Sequence, residues 1–129
     1  MLNYSTYFPN IIAVSKTFPM DEIKPLIDHG HIHFGENKVQ EAIEKWEEEI
    51  KKKSKIKLHM IGKLQRNKVK LAVQLFHYIH SVDNLKLAQK IAEEQKKQNK
   101  KIKIFLQINI GDEEQKSGIS LENVQNLYN

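Results

Sequence analysis

The stretch HIHFGENKVQEAIEKWEEEIKKKSKIKLHMIG, residues 31–62, decides the fold class. It opens on a short apolar run, HIHF (31–34), and closes on another, IKLHMIG (56–62). Between them, ENKVQEAIEKWEEEIKKK (36–53) places Val39, Ala42, Ile43, Trp46 and Ile50 on one stripe at helical spacing, with charge around the rest of the surface. Strand, amphipathic helix, strand is the unit in which a crossover helix lets two neighbouring strands run parallel.

The same rhythm continues in both directions. Upstream, residues 11–15 (IIAVS) read as a strand and PMDEIKPLIDHG (19–30) as a helix, with Ile23, Leu26 and Ile27 on one face and Gly30 as its stop. Pro25 lies inside that helix, where it removes one backbone donor. Downstream, LQRNKVKLAVQLF (64–76) predicts a helix with Val69, Ala72, Val73 and Phe76 aligned, and HYIHSV (77–82) a fourth strand. NLKLAQKIAEEQKKQ follows as a helix with Asp83 in the N-cap position, then IKIFLQINI (102–110) as a fifth strand. GDEEQKSGI (111–119) is a polar loop, and SLENVQNLYN (120–129) begins a further helix with Ser120 as its cap. The pattern places Trp46, Phe76 and Phe105 in the core. Five β-α units in strict alternation predict an α/β fold with a parallel sheet. Pattern alone leaves a doubly wound sheet and a (β/α)8 barrel both open.

Bulk properties narrow the class. The 129 residues suffice for one domain, carry 40% hydrophobic and 29% charged side chains, and so read as globular and soluble. No apolar run approaches the roughly 20 residues that span a bilayer, and the N-terminus MLNYSTYFPN lacks the features of a secretory signal. Cysteine is absent, which removes disulfides, thiolate metal sites and a cysteine nucleophile; the cytoplasm is the expected location. The net charge of +5 admits an anionic partner. Its lysines, however, gather in KKKSKIK (51–57) and KKQNKKIK (96–103), at helix ends where cations complement the helix dipole, so a nucleic-acid interface is not expected.

In parallel α/β folds, function collects where strands end. Those positions carry Ser15-Lys16-Thr17, Gly35-Glu36-Asn37, His59 with Gly62-Lys63-Leu64-Gln65, Ser81-Val82-Asp83, and Asn109 with Lys116-Ser117-Gly118. No GxxxxGK or GxGxxG loop and no nucleophile elbow are present. The glutamates fall mostly on helix faces and read as solvated. His31 and His33 in HGHIH would share one strand face, but two ligands are too few for a tight metal site, and no metal is expected. Lys16 stands out. An amine at the mouth of an apolar strand either snorkels to water or is placed to condense with an aldehyde, most familiarly that of pyridoxal phosphate.

Five segments, AVSKTFP, HFGENKVQE, HMIGKLQRNK, IHSVD and QINIGDEEQKSGI, occur in that order. With them the chain resembles the pyridoxal phosphate homeostasis protein family, whose members are related to the barrel domain of alanine racemase. The resemblance runs from about residue 10 to residue 120. It implies a partial (β/α)8 TIM-type barrel of about five β-α units, forming one incomplete domain over residues 1–129. It implies pyridoxal 5'-phosphate as cofactor, held as a Schiff base on Lys16, with Asn37, His59, Ile61, Gly62 and Ser81 around it and Lys116 as a basic position near the mouth. It also implies a cofactor carrier with no catalytic turnover, with apo pyridoxal-dependent enzymes as recipients and neither nucleic acid nor membrane as partner. The alternatives are a racemase-like enzyme acting on small amino acids and a remnant that no longer functions. Family members are longer, so the expected sheet has open edges at its first and fifth strands, an uncovered apolar interior, and a route to self-association through those edges.

Overall fold

The computed structural model describes residues 11–53, 55–109 and 119–120. Five parallel strands form one sheet in the order β1 (Ala13–Val14), β2 (His33–Glu36), β3 (Lys57–Met60), β4 (Tyr78–Val82) and β5 (Lys103–Leu106). The intervening helices are α1 (Met20–Asp28), α2 (Val39–Lys52), α3 (Val69–Leu75, entered through a 3-10 turn at Arg66–Lys68) and α4 (Leu85–Lys97). Two further short strands, β6 (Ile108–Asn109) and β7 (Ile119–Ser120), pair with each other in parallel.

Strand order equal to chain order settles what the alternation left open. Parallel crossovers are right-handed, so a sheet that always steps to the same side puts every helix on the same face. A doubly wound sheet reverses direction and carries helices on both faces. This sheet does not reverse among the described residues and is part of a β/α barrel.

The core lies between the helices and one face of the sheet. Phe34, Leu58, Met60, Ile79 and Val82 point from the strands toward Ile23 and Ile27 of α1, Val39, Ala42 and Trp46 of α2, Val69, Ala72 and Val73 of α3, and Leu87 and Ile91 of α4. Trp46 is fully buried, its ring centroid 4.9 Å from that of Phe34.

Helix ends follow local chemistry. Gly30, with φ of +98°, ends α1: its N–H donates to Ile27 at 3.0 Å and the His31 N–H to Leu26 at 3.0 Å. That is the doubly bonded left-handed cap for which glycine is suited. Asn99, φ +53°, ends α4 in the same way. Lys51 and Lys52 lie in the last turn of α2 and Lys96 and Lys97 in that of α4, as the charge pattern predicts.

Several expectations need correction. The cap of α4 is Asn84, whose side chain accepts from the Leu87 N–H at 2.8 Å, and not Asp83 one residue earlier. Leu26 is 46% exposed, because Ile23 and Ile27, one turn apart, already fill the contact that the short α1 makes. Phe105 is 49% exposed, since it points to the face opposite the helices. Ser120 lies in β7, and the rest of segments 111–119 and 120–129, with the helix expected after Ser120, lies outside the described residues.

The face opposite the helices is not the apolar surface expected. Register aligns Gly35, His59, Tyr78 and Lys103 across it, with His33 and His80 at alternate positions along their strands. His59 Nε2 lies 2.9 Å from His33 Nδ1 and His59 Nδ1 lies 2.8 Å from His80 Nε2, so three imidazoles on adjacent strands form one hydrogen-bonded row. Tyr78 stacks on His59 at 4.2 Å and Phe105 on His80 at 4.5 Å.

Burial, reinforced by His80, His33 and His77, draws the His59 pKa down to about 3. Burial and then Lys57 and Lys100 draw that of His77 down to about 4, and its neutral Nδ1 accepts the Leu58 N–H at 3.0 Å. An unfolded histidine titrates near 6.5, so between the two values the unfolded chain binds more protons and stability falls on acidification. Two outcomes follow. Thermal unfolding should show full stability above about pH 6.5 and a progressive loss toward about pH 4, with up to about 1.4 kcal/mol per pH unit from each histidine; a level midpoint across this window would contradict it. Trp46→Phe keeps most of the packed volume but removes the indole N–H. That N–H donates to the buried Glu36 carboxylate at 3.1 Å, so the substitution should lower the urea midpoint, at unchanged slope, by about 1.5–3 kcal/mol of stability, as expected for a lost hydrogen bond to a buried charge.

Candidate functional site

Lys16 sits where β1 ends. The Ser15 N–H makes the final pairing, donating to the Gly35 carbonyl at 2.9 Å, and the chain then turns as the Phe18 N–H donates to the Ser15 carbonyl at 3.2 Å. Lys16 and Thr17 occupy the two central positions. Thr17 has φ of +66° whereas Lys16 is not among the positive-φ residues, the φ pattern of a type II turn, which favours glycine where Thr17 stands. A β-branched residue there stores roughly 1–3 kcal/mol of strain. The turn leaves Lys16 exposed at the carboxyl end of the sheet.

Beneath this turn lies a buried charged cluster. The Glu36 carboxylate is fully inaccessible and accepts from the Ser15 hydroxyl, from Trp46 Nε1 at 3.1 Å and from Lys45 Nζ at 3.1 and 3.2 Å. Lys45, also buried, donates further to the Ser15 carbonyl at 2.8 Å and to Glu41 at 3.3 Å. Glu41 in turn accepts the Thr17 N–H at 2.7 Å. That N–H, followed by the Lys45 ammonium, holds the Glu41 carboxyl below the usual carboxylate range. A buried ion pair is tolerated when the remaining donors and acceptors are satisfied, as they are here.

A second group joins the ends of β2, β3 and β4. A Cβ on Gly62 would stand 2.6 Å from the Asn37 carbonyl oxygen and 2.7 Å from its Cβ, so only glycine allows these two segments to meet. The Ser81 hydroxyl donates to the Gly62 carbonyl at 2.6 Å. Asn37 Oδ1 is buried and has no hydrogen-bond partner among the described residues, an acceptor that calls for a donor. A cavity of about 500 Å³ opens beside it at the start of α2, lined by Asn37, Met60 and Gln65 and by the cations Lys38, Lys63 and Lys68. On the face opposite the helices, Ile12 and Ile61 close over Gly35, each with an atom 3.1 Å from where its Cβ would be.

The residues singled out in the sequence thus fall into three places. Asn37, Gly62 and Ser81 meet directly. Lys16 is tied to the same end of the sheet through Ser15, Gly35 and Glu36. Ile61 lies on the helix-free face, and His59, one row deeper, belongs to the histidine row. Lys116 lies outside the described residues. Among the described residues no group of three histidine, aspartate or glutamate side chains could hold a metal; His31 Nε2 instead contacts the His33 carbonyl at 2.8 Å. The sequence marks Glu36 only as one of the strand-end residues and does not single out Glu41 and Lys45, because its glutamates read as mostly solvated. The available signal was a glutamate in the apolar strand run HFGE, with a lysine and a tryptophan nine and ten residues on.

Comparison with known proteins gives the family and the fold. Residues 5–129 match the family model described as alanine racemase, N-terminal domain. The pyridoxal phosphate homeostasis protein of Pasteurella multocida is 39% identical over 109 residues, covering 84% of this chain and 47% of that protein. PipY of Synechococcus elongatus, solved with pyridoxal phosphate bound, superposes with a TM-score of 0.79 at 34% identity, over 90% of this chain and 54% of PipY. Alanine racemase of Clostridium difficile shares the fold, with a TM-score of 0.73 at 19% identity, over 97% of this chain and 33% of the racemase. The chain spans about half the length of the curated relatives it matches. By the family model, the five parallel strands and the one-sided helices, this chain belongs to the alanine racemase N-terminal domain family.

Proposed function

We propose that this chain binds pyridoxal 5'-phosphate at the carboxyl end of its sheet, with Lys16 as the Schiff-base residue, and takes part in cellular pyridoxal phosphate homeostasis as a carrier. One observation carries the reading. An exposed lysine is held in a fixed turn at the same end of the sheet as Asn37, whose buried Oδ1 lacks a donor. When bound, the cofactor supplies an aldehyde that condenses with an amine and releases water.

Each residue then has a task. Lys16 provides the amine, and Asn37 Oδ1 accepts a hydrogen bond from a ligand donor. Ile12 and Ile61 over Gly35 form an apolar wall, and Gly62 and Ser81 fix the loop that presents Asn37. The cations Lys38, Lys63 and Lys68 attract a phosphate-bearing ligand to this rim. His59 underlies the site, and Lys116 is assigned to its mouth from the sequence alone. Apo pyridoxal-dependent enzymes are the recipients we propose, the open edges of β1 and β5 are the route for self-association, and the cytoplasm is the location. Among the described residues no helix is long and apolar enough to cross a membrane. A racemase-like reaction on small amino acids would need a proton donor and an acceptor flanking the ligand. His59 spends both ring nitrogens on His33 and His80, which favours binding over turnover. The relatives' names, homeostasis proteins, agree.

The test mixes the purified chain with pyridoxal phosphate, records the visible spectrum, reduces with borohydride and maps the labelled peptide. The reading expects a new absorption band and one dominant label on Lys16, both lost in Lys16→Ala at unchanged circular dichroism. Asn37→Ala should weaken binding by about fivefold to tenfold, the cost of one buried hydrogen bond. Absence of a band, or labels spread over surface lysines, would mean that this chain does not hold the cofactor.

A further inference from the structure

We infer that Glu36, Glu41 and Lys45 are positioning residues that clamp the backbone on both sides of Lys16 and thereby set where its amine is presented. The inference rests on Lys16 being the reactive lysine proposed above. Before Lys16, Ser15 is buried and held at three points: its N–H by Gly35, its hydroxyl by Glu36 and its carbonyl by Lys45 at 2.8 Å. After it, the Thr17 N–H is held by Glu41 at 2.7 Å. Lys45 joins the two halves, since its ammonium contacts both Glu36 oxygens and Glu41. Lys16 itself is free to extend, while neither flanking residue can shift without breaking a bond to a charged group.

The conformation at Thr17 explains why a clamp is needed. With φ of +66° it occupies a region that threonine disfavours, and a type II turn with threonine at this position would relax if released. The N–H that Glu41 accepts belongs to this same residue, so the hydrogen bond holds the chain where its intrinsic preference resists. Relaxation would swing the Cα–Cβ direction of Lys16 and move an amine at the end of a long side chain by far more than the backbone shift.

Glu41 is the member to test, because its side chain is 30% exposed whereas Glu36 is fully buried and its loss would threaten folding. Glu41→Ala removes the acceptor, while Glu41→Gln keeps an Oε1 able to accept the Thr17 N–H. Amide hydrogen exchange of residues 15–18 is measured on the full chain without ligand, together with the melting temperature. Lys16 labelling is then measured at subsaturating pyridoxal phosphate with borohydride. In Glu41→Ala, exchange at Thr17 and Phe18 should rise by about tenfold, the scale expected for one lost bond to a charged acceptor, and Lys16 labelling should fall by a similar factor while the melting temperature drops by only about 5 °C and the chain stays folded at the assay temperature. Glu41→Gln should recover both to within about twofold. A conservative rescue of this kind is not expected from general destabilisation. Unchanged exchange in Glu41→Ala overturns the clamp whatever the labelling shows. Faster exchange with undiminished Lys16 labelling overturns its positioning role. A parent chain that takes no label on Lys16 overturns the reading of Lys16 and the positioning role with it, and the exchange data separate that failure from failure of the clamp.

Discussion

The Glu36 carboxylate is the constraint on which the rest of this end of the molecule depends. It sits at the last position of β2, without solvent access, and meets the ammonium of Lys45, the indole of Trp46 and the hydroxyl of Ser15. A lone carboxylate there would cost several kcal/mol of desolvation. Its partners come from the end of β1 and from α2, so both elements must dock against β2 for the charge to be satisfied. Such a cluster adds little net stability over an apolar packing of the same shape, but it penalises any other arrangement strongly. That matters most for β1, which is only two residues long and whose ladder to β2 has little hold by itself.

From this joint the geometry of the site follows. Right-handed crossovers stepping always to the same side place every helix behind the sheet and leave every strand's carboxyl end in one rim. Loops that leave adjacent parallel strands start about 5 Å apart and can touch only if one yields its side chain. Gly62 does so against Asn37, and Ser81 ties the next strand to the Gly62 carbonyl. The rim is therefore a set of short fixed turns, with Lys16 at one end of it and a cation-lined cavity beside Asn37.

The β-α rhythm and the helix faces were legible because helix burial is periodic: Val39, Ala42, Trp46, Val69, Ala72 and Val73 all lie in the core at the positions their spacing predicts. Strand positions were less legible. A strand of four residues shows two side chains per face, too few to say which face the helices cover, so Phe105 reads as core although it stacks on His80 in the open. Strand order is a property of pairing between distant segments, and alternation alone could not separate a one-way sheet from a reversing one. Asn37, Gly62 and Ser81 were placed by resemblance to a family, and the contacts explain why a glycine stands at 62 and a hydroxyl at 81. Glu36 was hidden because its meaning depends on Lys45 and Ser15, which lie nine residues after it and 21 before it.

The histidine row bears on the proposal that this rim binds without turnover. A carrier needs an amine that forms a reversible bond, and it is better served if no nearby acid or base moves protons on the bound molecule. His33, His59 and His80 would be natural candidates for that work, since a neutral imidazole can donate and accept. Each contact in the row admits only one proton, so the tautomer of one ring dictates that of the next. Burial holds the His59 pKa at about 3, which leaves it a weak base at neutral pH as well as a ring without a spare nitrogen. General acid–base catalysis works best when the group titrates near the operating pH and can reach the moving proton. Neither condition is met by the central histidine. The central imidazole thus pairs its neighbours on the helix-free face without being a ready acid or base, which supports the proposed carrier reading over the racemase-like one.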